Sequence, residues 1–264
     1  MNLGLSGKLA VVTGSTAGIG YAIAATLAEE GARVVINGRT QARVDSAVER
    51  LRMNNRGAEF TGVTVDLGTA AGVETFIKEV PVADILINNL GIFEVKPFLE
   101  IPDADWQRFF DVNILSGVRL SRHYLPNMLK KNWGRVIFIS SESGQQIPVE
   151  MVHYGMTKTA QLAVSRGLAE TTAGTGVTVN SVLAGPTRSE GVEQFVGALA
   201  KSKQVSEAAV EKEFFNSVRP SSLLKRFATS DEVAAMVTFV ASQLSSATNG
   251  AALRADGGVV RSIV

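Results

Sequence analysis

Short β-branched runs alternate with longer amphipathic segments from one end of the chain to the other, and this alternation narrows the folds open to it. The runs are LAVVT (9–13), RVVIN (33–37), GVTVD (62–66), DILIN (84–88), RVIFIS (135–140), VTVNSVL (177–183) and AALRA (251–255). Several are apolar at nearly every position, the pattern of strands covered on both faces. Between them lie segments of helical periodicity such as GYAIAATLAEEG, TQARVDSAVERLR and DEVAAMVTFVAS. The alternation predicts an α/β fold: a doubly wound parallel sheet of about seven strands, with right-handed crossovers and helices on both faces. No repeat, low-complexity tract or linker interrupts it, so residues 1–264 read as a single domain. The stretch at about 190–230 is too long for an ordinary connection and reads as a substrate lid.

Composition removes several classes of function. A chain of 264 residues, 45% hydrophobic and 19% charged, can bury a large core without staples. Its net charge of +1 supplies no field to steer it to nucleic acid or an acidic membrane. With no cysteine, disulfides and thiolate chemistry are excluded. The two histidines, His123 and His153, argue against a histidine-rich metal site and read as packing or rim residues. No apolar run approaches the roughly 18–20 residues of a membrane span, and LSGKLAVVTG follows Met1 without a signal-peptide pattern. A soluble, cytoplasmic protein is expected.

Two local patterns carry chemistry. VVTGSTAGIG runs from the first strand into a helix with Gly14, Gly18 and Gly20, where bare backbone can turn tightly and approach a pyrophosphate at the helix N-terminus. In HYGMTK, Tyr154 and Lys158 stand four residues apart, on one face of a helix. A phenol can donate the proton that a carbonyl oxygen needs when hydride reaches its carbon. A nearby ammonium favours the phenolate, which predicts a lowered Tyr154 pKa.

In order, TGSTAGIG, NNLG (88–91), ISS (139–141), Tyr154-x-x-x-Lys158 and ADGG (255–258) resemble the short-chain dehydrogenases/reductases, in the shorter of that family's main subgroups. The resemblance spans essentially the whole chain. It implies a Rossmann-type fold and an oxidoreductase that interconverts a carbonyl and a secondary alcohol, as a carbonyl reductase does. Tyr154 would be the general acid/base, with Lys158 assisting it and binding the nicotinamide ribose. Ser141, thirteen residues before Tyr154, would orient the substrate oxygen, with Ser140 as the alternative. Asn113 matches the asparagine that interrupts a central helix and holds a water near the lysine. Ser15 and Ile19 join the glycines of the first turn as cofactor contacts. Asp66 and Leu67 would lie beside the adenine, Asn89 and Gly91 near the adenosine ribose, and Gly185, Thr187 and Ser189 near the nicotinamide. Leu90 and Ala184 depart from the family's usual alanine and proline. The family also implies a homotetramer or homodimer, paired through long helices around 103–130 and 153–173.

The second strand ends in Gly38 followed by Arg39, with no carboxylate to repel a 2′-phosphate and a guanidinium able to grip one. NADP(H) is therefore favoured over NAD(H); the alternative leaves Arg39 as a solvated loop residue. The expected substrate is a small-molecule carbonyl or alcohol, with steroid, sugar, acyl thioester and small ketone all open. Its pocket should draw on Ile92, Phe93, residues 142–150 and the lid, with Arg188 and Arg219 as further contributors. Two other functions remain open on sequence: an NAD-dependent alcohol or sugar dehydrogenase, and a non-catalytic dinucleotide sensor or scaffold.

Overall fold

A computed structural model describes residues 2–263. The first half of the chain runs β1 (Leu9–Val12), α1 (Gly18–Glu29), β2 (Arg33–Gly38), α2 (Gln41–Asn54), β3 (Phe60–Thr64), α3 (Ala70–Glu79) and β4 (Ile85–Asn88). It continues through α4 (Asp103–Phe110), α5 (Ser116–Lys131), β5 (Gly134–Ser141), α6 (Val152–Glu170) and β6 (Val177–Ala184). The last part holds β7 (Thr187–Arg188), α7 (Glu190–Lys203), α8 (Glu207–Glu213), β8 (Ala228–Thr229), α9 (Ser230–Ala241) and β9 (Ala252–Ala255).

Seven strands form one parallel sheet in the order β3-β2-β1-β4-β5-β6-β9. This is the doubly wound Rossmann arrangement. The chain winds outward from β1 to β3, then returns to β4 on the other side of β1, which opens a crevice at the carboxyl ends of β1 and β4. All seven expected strands are present. The third is shifted: it pairs over Phe60–Thr64, not 62–66, because Phe60 faces Val34 at the start of β2 and Thr64 already faces Gly38 at its end.

Alternate residues of each strand feed opposite cores. Ala10, Val12, Ile36, Ile85 and Ile87 pack with Ile23 and Leu27 of α1 and Val233 and Val237 of α9. Val11, Val35, Leu86 and Phe138 face the other way, onto Phe76 of α3 and Leu120, Tyr124 and Met128 of α5. β5 and β6 are buried at every position, which explains why most of their residues are apolar.

The segment after β7 builds a small core of its own from Val196, Ala200, Val210, Phe215 and Phe227. The Phe214, Phe215 and Phe227 rings sit 5.0–5.1 Å apart there. β7 and β8 tie this segment back to the body as a separate two-stranded pair. No helix among the described residues is long and apolar enough to cross a membrane.

Candidate active site

The carboxyl ends of the central strands and the α7–α8 segment enclose a cavity of about 830 Å³ lined by Ser141, Tyr154, Lys158 and the turn at Gly185–Ser189. Each wall has a local cause. At the glycine turn, Gly14 and Gly18 adopt φ of 60° and 57°, a conformation natural to glycine. A Cβ on Gly18 would also stand 3.2 Å from that of Ser189. Ser15 and Asn89 contribute backbone here, since their side chains are already engaged. The Ser15 hydroxyl donates to Val12 O at 2.7 Å, and the Asn89 amide donates to Thr13 O and Gly14 O at 2.9 and 3.0 Å. Leu90 directs its bulk across Gly14 and against the α5-side core, so the extra carbons serve packing.

Gly91 lies directly beside Asn113 and Lys158. A Cβ there would meet Asn113 Oδ1 and Lys158 Nζ, each at 3.5 Å. The turn and this gap together form a groove that suits a dinucleotide running from helix α1 to Lys158. Asp66 holds its own turn by accepting from Gly68 N at 2.9 Å, and Leu67 beside it is buried. Ile19 and Gly185 line the cavity, and Thr187 donates its hydroxyl to Gly185 O at 2.9 Å. Arg39 is exposed just past β2.

Between α4 and α5 the helix widens into a π-helical turn, Asp111–Leu115, carrying Asn113 at its centre. Such a turn breaks the regular hydrogen-bond ladder and releases a carbonyl for other partners. Here Asn113 O accepts from Gln161 Nε2 at 2.6 Å, while the Asn113 side chain clamps the backbone of Ile92. Gln161 also offers Oε1 to Lys158 Nζ at 3.3 Å. The family's water between asparagine and lysine thus has a side-chain counterpart in this protein. Sequence reading passed over Gln161, whose only signal was a polar residue one turn beyond Lys158 on the same helix face.

Lys158 Nζ donates to Ile139 O at 2.8 Å and lies 5.6 Å from the centre of the Tyr154 ring. Burial lowers its pKa to about 8, against a smaller opposing pull from Glu142. The sign fixes a stability effect. Between about pH 8 and the ordinary lysine value of 10.5 the unfolded chain binds more protons than the folded one, so stability rises with pH across that window. On this account wild-type stability should rise by about 3 kcal/mol between pH 7 and pH 10.5, and Lys158→Met should lack that rise. Denaturant unfolding of both proteins at several pH values measures it.

Tyr154 corrects the expectation of a lowered pKa. Burial pushes its phenol up, and the Glu142 carboxylate adds to this, against weaker effects from Ser141 and Arg219. The phenol is therefore protonated at neutral pH. Ser140 turns away and donates to Lys158 O at 2.9 Å, whereas Ser141 sits beside Tyr154 and donates its hydroxyl to Glu142. Glu142 is 4% exposed and accepts from Arg219 Nε at 3.0 Å; Arg219 Nη1 reaches Glu150 at 3.2 Å. Arg188 is bound by Glu211 at 2.5 Å. Both arginines considered for substrate binding are thus already neutralised by protein carboxylates. His153 is fully buried and packs on Phe109 with ring centres 4.1 Å apart, and His123 bonds Pro81 O at 3.0 Å, so both serve structure.

A family model described as short chain dehydrogenase matches residues 8–198, and the chain belongs to that family of oxidoreductases. It is 51% identical over 263 residues to the oxidoreductase YvaG of Bacillus subtilis (strain 168), covering 100% of both chains. It is 32% identical over 260 residues to a D-beta-hydroxybutyrate dehydrogenase of Cupriavidus necator, covering 97% of this chain and 99% of that one. The L-sorbose reductase of Gluconobacter frateurii, solved with NADPH and L-sorbose, superposes with a TM-score of 0.94 at 30% identity, over 100% of both chains. The cofactor class is accordingly a nicotinamide dinucleotide.

Proposed function

We propose that the protein is an NADP(H)-dependent reductase that converts a small carbonyl compound to a secondary alcohol, with Tyr154 as the acid. The observation that carries this is the placement of the Tyr154 phenol in the cavity wall, beside Ser141 and one turn from Lys158. A proton held at neutral pH suits reduction, where the phenol must give it up. When bound, the dinucleotide supplies hydride to the carbonyl carbon. Tyr154 protonates the oxygen, Ser141 helps to orient it, and cationic Lys158 stabilises the phenolate left behind. Asn113 and Gln161 fix Lys158 from below, and Lys158 also offers donors to ribose hydroxyls. The α7–α8 segment acts as a lid that excludes water over the reacting atoms. The chain works in the cytoplasm as a homotetramer or homodimer, through surfaces on α5 and α6.

The preference for NADP(H) is supported at the end of β2. A Cβ at Gly38 would stand 2.5 Å from Thr16 Cγ2 and 3.0 Å from Val44 Cγ2, so an acidic residue there would have to displace its neighbours, and Arg39 follows it in the open. Arg39→Asp should reduce kcat/KM for NADPH by about 10- to 100-fold, the value of a charge-assisted hydrogen bond, and favour NADH. Steady-state rates with both cofactors over a carbonyl panel test the cofactor reading and the activity together. An NADH preference in the wild type would overturn the first and leave the second.

A further inference from the structure

The two residues that most distinguish this cavity are Glu142 and Arg219. Glu142 directly follows Ser141 at the end of β5, in a short 3-10 turn (Glu142–Gly144), and one carboxylate oxygen accepts from both Ser141 Oγ and Ser143 N, the latter at 2.8 Å. Its other oxygen is held by Arg219, which is 8% exposed. Glu142, Glu150 and Arg219 carry two formal negative charges and one positive, so this end of the cavity has a net charge of −1. The remaining walls are largely apolar, with Phe93, Met151, Val192, Phe195 and Phe214 among them.

Hydrogen-bond accounting sets a condition on the substrate. A serine hydroxyl has one proton. Ser141 gives it to Glu142, so donating to a carbonyl oxygen costs Glu142 that bond unless another donor replaces it. A plain ketone offers none and leaves that buried carboxylate oxygen with Ser143 N alone, one hydrogen bond fewer than before, which is costly. A hydroxyl on the carbon next to the carbonyl resolves this. It donates to Glu142 while Ser141 turns to the carbonyl oxygen, so adjacent donor and acceptor in the substrate meet adjacent acceptor and donor in the site. A carboxylate in that position would set acceptor against acceptor and negative against negative.

We propose that Glu142, fixed by Arg219, is the specificity-determining residue of this site, and that it selects uncharged α-hydroxy ketones with an apolar body over plain ketones and α-keto acids. This rests on the carbonyl-reducing reading above. The reaction balances as a two-electron reduction. The carbonyl carbon gains hydride from the reduced dinucleotide, its oxygen gains the Tyr154 proton, the product is a vicinal diol, the dinucleotide is oxidised, and Tyr154 regains its proton from solvent.

Three ketones sharing one phenyl ring isolate the effect: acetophenone, 2-hydroxyacetophenone and phenylglyoxylate, each with NADPH and with NADH. In the wild type, kcat/KM for 2-hydroxyacetophenone should exceed that for acetophenone on the order of 10- to 100-fold, with phenylglyoxylate poorest. In Glu142→Gln the first ratio should fall below about threefold. Glu142→Asp, which keeps the charge but withdraws it from Ser141, should give the same collapse if the glutamine variant fails to fold. A second readout needs no turnover: with NADP⁺ present, 1-phenyl-1,2-ethanediol should raise the melting temperature of the wild type more than 1-phenylethanol does. A wild-type ratio near one, or a ratio that survives in the variants, overturns the proposal. Reduction of other carbonyls but none of these three overturns it and leaves the carbonyl reading intact. Absence of turnover on any carbonyl, with cofactor bound, overturns both.

Discussion

Tyr154→Phe is expected to lower kcat for carbonyl reduction by about a thousandfold, within the range that a positioned general acid supplies. The substitution is narrow. Phenylalanine keeps the ring, its burial and its edge contact with Phe93, whose centre lies 6.4 Å away, and removes only the hydroxyl. Dinucleotide affinity, measured by titration, should therefore stay within about twofold, because a lost acid acts on the transition state and leaves ground-state binding alone. The wild-type pH profile separates the partners further. The raised Tyr154 pKa keeps the acid loaded through neutrality, while Lys158 loses its charge around pH 8. Reduction should be level below about pH 8 and decline above it, since only cationic Lys158 stabilises the departing phenolate. A phenylalanine variant that keeps more than a tenth of the rate would remove the phenol from the reaction.

The parts of this picture that sequence reveals are those fixed by local pattern. β5 and β6 were legible because burial on both faces demands apolar residues at nearly every position. The apolar alternation of Val63 and Val65 points to a third strand at 62–66, while the partners on β2 begin pairing two residues earlier, at Phe60. β7 and β8, two residues each, leave no periodicity to read. At the site, helical spacing puts Tyr154 and Lys158 on one face, but their catalytic reading, like that of Asn113 and Ser141, needed the family resemblance.

What sequence left hidden is long-range. Glu142 and Arg219 are 77 residues apart, and their pairing depends on how the α7–α8 segment returns over the sheet. Burial, with the Glu142 carboxylate adding to it, explains the missed direction of the Tyr154 shift. Reading the helix alone places a lysine near the tyrosine. It cannot show that the ammonium bonds Ile139 O and faces the ring, or that a buried carboxylate stands beside the hydroxyl. Leu90 is a similar case: the sequence shows its departure from the family's alanine, and only its neighbours show where the bulk goes.

Arg219→Leu should destabilise the protein by about 3–5 kcal/mol, because it strands the Glu142 carboxylate in the interior without its guanidinium. For a domain of this size that corresponds to a melting temperature lower by roughly 10 °C. The reason lies in the asymmetry of buried ion pairs. Forming one offsets most of its own desolvation cost, but removing one partner leaves the whole cost of the other. Glu142→Gln in the Arg219→Leu background should therefore recover about 2 kcal/mol or more, so that the two substitutions are strongly non-additive in a double-mutant cycle. A loss below about 1 kcal/mol in Arg219→Leu would mean that the pair is open to water and worth no more than a surface contact. The outcome bears on function as well as stability. Arg219 joins the end of the α7–α8 segment to the residue after Ser141, and its guanidinium lies 5.9 Å from the centre of the Phe214 ring. The contact that sets Glu142 against the substrate is thus also the contact that holds the cover of the cavity to the sheet.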